Sequence, residues 1–452
     1  MRMGAARLPR FGTDGVRGVA GSELTTSFVE LLGRASARVL GSTTILVGRD
    51  PRPSSPEYAR AVGQGASAAG ATVVDVGMLP TPALAWLASM RGAAAAMITA
   101  SHNPHTDNGV KVFAVGGHKL ADDVERRIEE QLTALSRAEL HDGEASNPAI
   151  STGSITFDDG AAHQYVEHMV ASFPIGVLNG LHLVVDCANG AMSTVAPEVL
   201  IRLGARLTVL NADPRGTNIN EGCGATHPEA VLAAVRQHGA DAGLAFDGDG
   251  DRVIAATKSG LIDGDRLLAI VAPALHARGE LAGGAVAVTV MSNLGFRRAM
   301  RDANIRVVET PVGDRYVLEA LEREELVLGG EQSGHIILRD RATTGDGLLA
   351  ALVLLEVAQV ARRSLDDLAT GAMVQFPQVL INVRTTRRDP NVAQLVADEV
   401  QAAETALGDQ GRVLIRASGT EPLVRVMVEA ATERQAREQA ERLAAAVTAR
   451  IV

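Results

Sequence analysis

One pattern of secondary-structure signals occurs three times in this 452-residue chain and restricts its fold more than any other feature. In each copy a short run rich in β-branched residues is followed by a turn containing Gly, Asn or Asp, a helical stretch and a second short run. Strand, helix and strand at this spacing predict parallel βαβ units with buried sheets. The paired runs are 44–47 with 71–76, 183–186 with 206–210, and 286–290 with 305–308.

Each copy continues to a third predicted strand that ends in a polar loop containing glycine. Ligands of open α/β sheets bind beyond the carboxyl ends of the strands. We therefore expect three similar domains to present three different sets of functional groups to one cleft. The three loops are T-A-S-H-N-P at 99–104, D-G-D-G-D-R at 247–252 and G-G-E-Q-S-G-H at 329–335.

The C-terminal segment has a different pattern and predicts a smaller α+β domain. In its last predicted helix, apolar residues recur at steps of three and four, as at Ala436, Ala440 and Leu443, which indicates one buried helix face. The preceding elements are predicted as strand 379–383, helix 391–406 and strands 413–416 and 424–428.

The predicted fold class is therefore α/β. It has three similar mixed α/β/α domains with largely parallel sheets, followed by a smaller α+β domain, around a central cleft. A chain of 452 residues is long enough for two to four such units. The predicted domains are 1–155, 156–258, 259–372 and 373–452.

Charge and composition exclude several classes of partner. The balance of 43 Lys and Arg against 53 Asp and Glu gives a net charge of −10, and aromatic residues make up only 3%. Neither feature suits a nucleic-acid surface, so no nucleic-acid partner is expected and an anionic ligand needs a local positive site. The longest apolar run, 348–355, falls far short of the ~20 residues of a membrane-spanning helix. No membrane partner is expected.

The cysteines and the N-terminus indicate a compartment. Cys187 and Cys223 form no C-x-x-C pair, and no apolar stretch of signal-peptide length occurs near the N-terminus. A reduced, cytoplasmic setting is expected.

Asp247, Asp249 and Asp251 are separated by single glycines, which allow the backbone to curl so that the carboxylates converge. Converging oxygen ligands favour a hard divalent cation, Mg²⁺ foremost. An EF-hand would need Gly and Glu at its sixth and twelfth positions, where this chain has Arg252 and Lys258, so that interpretation fails. The alternative is an acidic turn without a ligand.

Ser101 follows a predicted strand, with Lys111 ten residues further on. Taken alone, such a serine is usually a turn or helix-capping residue. The chain has no G-x-S-x-G motif, however, and the equivalent loop of the next domain has the predicted cation site. A phosphorylated Ser101 beside that cation would be both a ligand and a phosphoryl donor. His102 and His105 are spaced like a zinc pair, but Pro104 between them argues against the necessary helix.

Two further segments offer positive charge. At 416–422 the chain reads R-A-S-G-T-E-P, and Arg425 follows on the next predicted strand. This is either a plain hairpin turn or a phosphate site built from a guanidinium, hydroxyls and backbone N–H groups. The segment 11–18, F-G-T-D-G-V-R-G, is either a surface loop or a turn that presents Arg17 to an anion. No Walker A or G-x-G-x-x-G motif follows a strand, so nucleotide binding is not supported.

Together these segments resemble the α-D-phosphohexomutase superfamily over essentially the whole chain. Its four signatures appear in the family's order. They are the serine loop (99–104), the metal loop (247–252), the sugar loop (330–335) and the phosphate loop (416–422). The combination of F-G-T-D-G-V-R-G, G-E-Q-S-G-H and R-A-S-G-T-E-P resembles the branch that acts on hexosamine phosphates more than phosphomannomutase/phosphoglucomutase relatives. Those relatives commonly show V-G-H where this chain has Val312, Gly313 and Asp314, so no histidine role is carried onto Asp314.

The resemblance implies a role for each matching residue. Ser101 is the phosphoserine, and the metal ligands are Ser101, Asp247, Asp249 and Asp251, which hold one Mg²⁺ per chain. Lys111, Arg17, Arg252 and His335 are candidates for charge stabilisation and proton transfer. The substrate-binding candidates are Glu331, Ser333, Gly313 and Asp314 for the sugar, and Arg416, Ser418, Gly419, Thr420 and Arg425 for the phosphate that does not react.

The resemblance also implies a phosphomutase, an isomerase that interconverts glucosamine 6-phosphate and glucosamine 1-phosphate through a bisphosphorylated sugar. This reaction feeds UDP-N-acetylglucosamine and cell-wall precursor synthesis. The expected partners are the hexosamine phosphate and its bisphosphate, and a homodimer is compatible with the resemblance. Two other classes stay open: a metal-dependent phosphatase with an Asp nucleophile, and a non-catalytic sugar-phosphate sensor.

Overall fold

The structure is a computed structural model that describes residues 9–12, 14–141, 153–385, 391–417 and 422–451. The chain divides into two compact units. The first consists of residues 1–291 and 305–370, and the second of residues 292–304 and 371–452. The first unit contains three mixed α/β sheets, and the second contains a small antiparallel sheet.

The first sheet has six strands in the order β1-β5-β4-β2-β3-β6. Strand β2 pairs in parallel with β3 and β4, whereas β5 runs antiparallel to both β4 and β1. All residues of β4 are buried because helices cover both of its faces. The elements are β1 (Val16–Val19), α1 (Thr26–Leu40), β2 (Thr44–Arg49), α2 (Ser55–Ala68), β3 (Thr72–Met78), α3 (Thr81–Arg91), β4 (Ala94–Ile98), β5 (Asp107–Phe113), α4 (Asp122–His141) and β6 (Ile155–Phe157).

The second sheet has five strands in the order β11-β10-β9-β7-β8. The central strand β7 is parallel to β8 and β9, and β10 returns antiparallel to β9. The elements are α5 (Ala161–Ala171), β7 (His182–Asp186), α6 (Met192–Arg202), β8 (Arg206–Leu210), α7 (Glu229–His238), β9 (Ala242–Phe246), β10 (Val253–Thr257) and β11 (Gly260–Ile262).

The third sheet has four strands in the order β13-β12-β14-β15. Strand β12 is parallel to β13 and β14, and β15 is antiparallel to β14. The elements are α8 (Gly264–Ala277), β12 (Ala285–Thr289), α9 (Leu294–Asp302), β13 (Arg306–Thr310), α10 (Asp314–Arg323), β14 (Leu328–Gly330), β15 (Ile336–Leu338), α11 (Gly347–Ala361) and α12 (Leu365–Ala372).

One arrangement is common to the three sheets and places the candidate residues. In each sheet a buried strand, β4, β9 or β14, is followed by a polar loop and then by an antiparallel partner strand. The three loops are the serine, metal and sugar loops identified in the sequence. The largely parallel α/β prediction is confirmed, and the returning strands β5, β10 and β15 are an addition to it.

The second unit is a three-stranded antiparallel sheet in the order β16-β18-β17, packed against helices. The predicted helix 391–406 is interrupted at Val396, whose φ of −121° is not helical and whose side chain is buried. The predicted apolar face of the last helix is confirmed, since Ala436, Ala440 and Leu443 are all buried. The elements are β16 (Gln378–Arg384), α13 (Val392–Leu395), α14 (Ala397–Leu407), β17 (Arg412–Ala417), β18 (Leu423–Glu429) and α15 (Glu433–Ile451).

A buried carboxylate explains why α9 belongs to the second unit. Glu429, at the end of β18, accepts hydrogen bonds from Arg412 Nε at 2.6 Å and from the backbone N of Leu294 at 2.9 Å. Its side chain is fully buried. Glu429 therefore fastens the first turn of α9 to the C-terminal sheet through a charge-assisted contact.

In the described part of the chain no helix combines the length and the apolar character that a membrane crossing requires. Cys187 and Cys223 are both buried and unpaired with each other.

Candidate active site

The serine loop is held against the metal loop. Ser101 is buried, and its φ of 51° places it in the left-handed region that non-glycine residues rarely adopt. Its backbone N donates to Thr99 Oγ1 at 2.9 Å, and its Oγ lies 2.6 Å from Asp247 Oδ2. The candidate nucleophile of the first sheet therefore contacts the carboxylate cluster of the second.

The three aspartates of the metal loop converge. Asp247, Asp249 and Asp251 are buried, and each offers an oxygen within 4.8 Å of the others. Gly250, with a φ of 75°, permits the turn that brings them together. Asp249 Oδ1 and Asp251 Oδ1 are buried and have no hydrogen-bond partner within the part of the chain that the structure describes. Unsatisfied, converging carboxylate oxygens suit a hard cation, so this cluster could bind a metal ion.

The electrostatic environment shifts the pKa values of two of these carboxyl groups in opposite directions. Burial, together with the charges of Asp251 and Asp249, raises the pKa of Asp247 well above its usual value. Burial would also raise the pKa of Asp251, but the charges of Lys111, His335 and Arg252 outweigh it and hold that pKa well below its usual value. The cluster therefore retains negative charge, which a cation would neutralise.

Lys111, on β5, is the central cation of the site. Its Nζ lies 2.9 Å from Asp249 Oδ2, 2.9 Å from Asp251 Oδ2 and 3.4 Å from Asp14 Oδ1. Burial alone would lower its pKa, but these carboxylates outweigh burial and raise the pKa well above the usual value. Lys111 is thus held as an ammonium group that can offset negative charge but cannot accept a proton.

Two guanidinium groups lie beside the cluster. Arg17 pairs with Asp14, and the backbone N of Arg252 donates to Asp247 Oδ1 at 3.1 Å. The Nε atoms of Arg17 and Arg252 are buried without a hydrogen-bond partner among the described residues. Buried donors without a partner are costly unless a ligand satisfies them, so both groups suit an anion such as phosphate.

His335 lies between two carboxylates. Its Nδ1 is 3.6 Å from Asp251 Oδ1, and its Nε2 is 3.6 Å from Asp314 Oδ2. Burial would lower its pKa, but Asp251 and Asp314 outweigh burial and raise the pKa to about 9. At neutral pH His335 is therefore protonated and able to donate a proton.

The sugar loop and the turn before α10 meet at one carboxylate. Glu331 Oε1 accepts from the backbone N of Gly313 at 3.2 Å, and Ser333 Oγ donates to Glu331 Oε2 at 3.4 Å. Asp314, which follows Gly313 in the chain, pairs with Lys119. Glu331 thus joins Ser333 of the sugar loop to the turn that contains Gly313 and leads into Asp314.

His102 has a position that the sequence analysis missed. Its Nδ1 lies 3.3 Å from Ser101 Oγ. Burial, with the charges of Arg252 and Arg17, lowers its pKa to about 4, so the imidazole is neutral at pH 7. A neutral imidazole beside a hydroxyl can accept its proton. The position of His102 directly after Ser101 in the sequence could have indicated that its side chain lies beside the serine hydroxyl.

Two other residues of the site had no recognisable signal. Thr81, the first residue of α3, donates through Oγ1 to Asp249 Oδ2 at 2.6 Å. Lys119 pairs with Asp314 and lies 3.9 Å from Asp14 Oδ1. Neither belongs to a motif, and both reach the site only because the chain folds.

The second unit has its own pair of cations. Arg416 on β17 and Arg425 on β18 are register partners, and the Nε atoms of both are buried without a hydrogen-bond partner among the described residues. Burial and the charge of Arg425 lower the pKa of Arg416. Two adjacent guanidinium groups suit a doubly charged anion. The predicted residues Ser418, Gly419 and Thr420 lie outside the described residues.

Family models match nearly the whole chain. The models for phosphoglucomutase/phosphomannomutase α/β/α domains I, II and III match residues 9–139, 160–260 and 263–376, and the model for the C-terminal domain matches residues 380–446. The chain belongs to the phosphoglucomutase/phosphomannomutase family.

Curated relatives of this chain carry the name of one branch of this family. A protein named phosphoglucosamine mutase from Frankia casuarinae is 49% identical over 97% of both chains. A second of the same name from Thermobifida fusca is 48% identical over 96% of this chain and 97% of its own. The resemblance found in the sequence is confirmed.

Solved structures have the same fold. A phosphoglucomutase/phosphomannomutase family protein from Burkholderia thailandensis is 28% identical, covers 97% of both chains and has a TM-score of 0.79. Aspergillus fumigatus N-acetylphosphoglucosamine mutase, in complex with GlcNAc-6P and magnesium, is 18% identical and has a TM-score of 0.71 over 99% of this chain and 96% of its own. At that identity the likeness concerns the fold alone.

Proposed function

We propose that this protein interconverts glucosamine 6-phosphate and glucosamine 1-phosphate through a phosphoserine at Ser101 and a bisphosphorylated sugar. The observation that carries the proposal is the 2.6 Å contact of Ser101 Oγ with Asp247 Oδ2, inside a buried carboxylate cluster with unsatisfied oxygens. The name shared by the relatives supports the choice of substrate. The product would feed UDP-N-acetylglucosamine and cell-wall precursor synthesis.

Asp247, Asp249 and Asp251, with an oxygen of the phosphorylated Ser101, would hold Mg²⁺. When bound, the ion supplies neutralisation of the negative charge on the phosphoryl oxygens. The all-oxygen donor set and the two carboxylate oxygens that make no hydrogen bond to a described residue favour Mg²⁺ over a softer metal.

The residues of the chain supply positive charge and proton transfer. Lys111, Arg17 and Arg252 offset charge on the phosphoryl group as it leaves Ser101 for the free sugar hydroxyl. His335, held protonated, is suited to donate a proton, and neutral His102 is suited to accept the Ser101 proton when that hydroxyl is re-formed and attacks again.

The sugar is proposed to bind through Glu331 and Ser333, with Gly313 and Asp314 beside them. Arg416 and Arg425, with Ser418, Gly419 and Thr420, are proposed to bind the phosphate that is not reacting. Between the two transfers the bisphosphate exchanges the positions of its phosphates, and Ser101 then takes back a phosphoryl group from the other one.

A phosphomutase fits this site better than a phosphatase. Ser101 is fully buried, and a phosphoryl group held on a residue in such a position would be shielded from water. The runner-up is a mutase of the phosphomannomutase/phosphoglucomutase type, because Glu331 would accept bonds from neutral hydroxyls as readily as from a 2-ammonium group.

The test is a side-by-side measurement of kcat/KM on the 6-phosphates of glucosamine, glucose and mannose, because that ratio carries discrimination. Glucosamine 6-phosphate should be preferred, and Ser101→Ala should lose nearly all activity while remaining folded. A tenfold preference for glucose or mannose phosphate would select the runner-up. Steady phosphate release that survives Ser101→Ala would indicate the phosphatase, and binding without turnover would indicate the sensor.

A cytoplasmic setting and a homodimer, both expected from the sequence, are also proposed. A cytoplasmic setting is supported by the two unpaired, buried cysteines. A homodimer is tested by light scattering coupled to size-exclusion chromatography.

A further inference from the structure

A buried arginine outside the carboxylate cluster holds the serine loop. Arg52 lies between β2 and α2, and its side chain is fully buried. Its Nε donates to Asp50 Oδ2 at 2.8 Å, and its two terminal nitrogens donate to four backbone carbonyls, three in the serine loop and one at the start of β5. These are Ser101 O at 2.9 Å, Asn103 O at 2.8 Å, Asp107 O at 3.0 Å and Pro104 O.

This arrangement uses the full donor capacity of a guanidinium group. Arginine has five N–H donors in a fixed plane, and here each has one acceptor. Lysine offers only three donors on a flexible stem. The site therefore requires an arginine.

The backbone of Ser101 is fixed at both its N–H and its C=O group. Asp50 accepts from Arg52 Nε and from Thr99 Oγ1 at 2.8 Å, and Thr99 Oγ1 in turn accepts from the Ser101 N–H. The Ser101 carbonyl accepts from Arg52 and also from Asn220 Nδ2 at 2.9 Å. One network thus holds both backbone groups of Ser101.

Such a network is needed because Ser101 has a positive φ of 51°. A non-glycine residue in this region is strained and stays there only when its surroundings enforce it. Strain of this kind at a reacting residue commonly serves its orientation.

We propose that Arg52 is a positioning residue for phosphoryl transfer. It holds the Ser101 backbone in the left-handed conformation, so that Oγ faces Asp247 both before and after the phosphoryl group leaves. The inference rests on the proposed role of Ser101 as the phosphoserine. Because Arg52 keeps the serine loop in place, the bisphosphate stays bound until Ser101 is phosphorylated again.

Arg52→Lys tests this directly. A displacement of about 1 Å at a reacting group can cost about 100-fold in rate, so kcat should fall by about 100-fold. KM should change only a few-fold, because the hydrogen bonds described for the Arg52 side chain go to Asp50 and to backbone carbonyls of 101–107, not to the proposed sugar-binding residues. More bisphosphate should also be released into solution per turnover, as measured by mass spectrometry of the filtrate.

Arg49→Lys is the matched control. Arg49 lies three residues earlier and pairs with Asp75 at 2.9 Å, but no hydrogen bond is described between its side chain and the serine loop. Its kcat and its bisphosphate release should equal those of the wild type. Melting temperatures of both variants report any loss of stability separately.

Asn220→Ala provides a second variant that keeps Arg52. It removes one of the two donors to the Ser101 carbonyl and should lower kcat about tenfold, with increased bisphosphate release. If Arg52→Lys does not fold, this variant decides the question.

The outcomes separate this inference from the proposed function. Folded Arg52→Lys with wild-type kcat and wild-type bisphosphate retention would overturn the positioning role, as would an unaffected Asn220→Ala if the first variant is unfolded. If instead wild-type protein carries no phosphate on Ser101 and Ser101→Ala is active, the proposed function itself fails.

Discussion

Adding one methyl group at Gly248 should disturb the contact on which the proposed chemistry depends. Gly248 lies between Asp247 and Asp249, and its backbone conformation is open to any residue because its φ is not positive. A Cβ at this position would lie 2.6 Å from Ser101 O, 2.8 Å from Asn220 Nδ2 and 2.8 Å from Ile219 Cδ1. The obstacle to Gly248→Ala is therefore contact with the serine loop and its neighbours, not backbone strain.

The size of the effect follows from these distances. Cβ contacts shorter than 3.0 Å do not occur, so the serine loop and the metal loop must separate by at least about 0.4 Å. Displacements approaching 1 Å cost about 100-fold in rate, so kcat should fall about 10- to 100-fold. Overpacking of this kind typically costs about 1–3 kcal/mol of stability, which should lower the melting temperature without unfolding the protein.

The assay compares kcat, KM and melting temperature of Gly248→Ala with those of Gly260→Ala. Gly260 is the first residue of β11, and a Cβ there would meet nothing within 4 Å, so this control should keep wild-type activity. If Gly248→Ala had wild-type kcat and stability, the close approach of the two loops would not determine activity, and this reasoning would be wrong.

Three further predictions concern stability and the metal. Burial raises the pKa of Asp346 from 3.8 to about 6, so the folded state binds the proton of this carboxyl more tightly than the unfolded chain does. The stability gained from this protonation is present below about pH 4 and is lost as the pH rises through 6. The stability of Asp346→Asn relative to wild type should therefore increase by about 2 kcal/mol between pH 4 and pH 7 in urea titrations, and a pH-independent difference would contradict this. Glu429→Gln removes the buried carboxylate that Arg412 pairs with and should cost about 3 kcal/mol in the same assay; no loss would contradict it. Chelation should abolish activity and Mg²⁺ should restore it, whereas restoration by Zn²⁺ alone would place the metal elsewhere.

Much of the fold was predictable from the sequence because its signals are local. The strands before the three polar loops have continuous apolar runs, and the glycines between Asp247, Asp249 and Asp251 indicated convergence directly. The apolar spacing in α15 likewise predicted its buried face. In each case the residues that carry the signal are near one another in the chain.

What the sequence did not predict depends on pairing at long range. A short apolar run such as 253–257 fits a helix or a strand until its partner is known, so the return of β10 beside β9 was not foreseen. The interruption at Val396 was hidden because apolar residues continue through it. Thr81 and Asn220 reach the site across 168 and 119 residues of sequence, and no local pattern marks such contacts.

The proposed reaction requires that Ser101 carry the phosphoryl group that passes to the sugar. Its most direct test is a single-turnover experiment in which protein labelled with ³²P at Ser101 is mixed with unlabelled glucosamine 6-phosphate. The label should leave Ser101 for the sugar bisphosphate and product, while the protein keeps one phosphate per chain and Ser101→Ala takes up no label. Release of the label as inorganic phosphate, or equal labelling of Ser101→Ala, would contradict the claim.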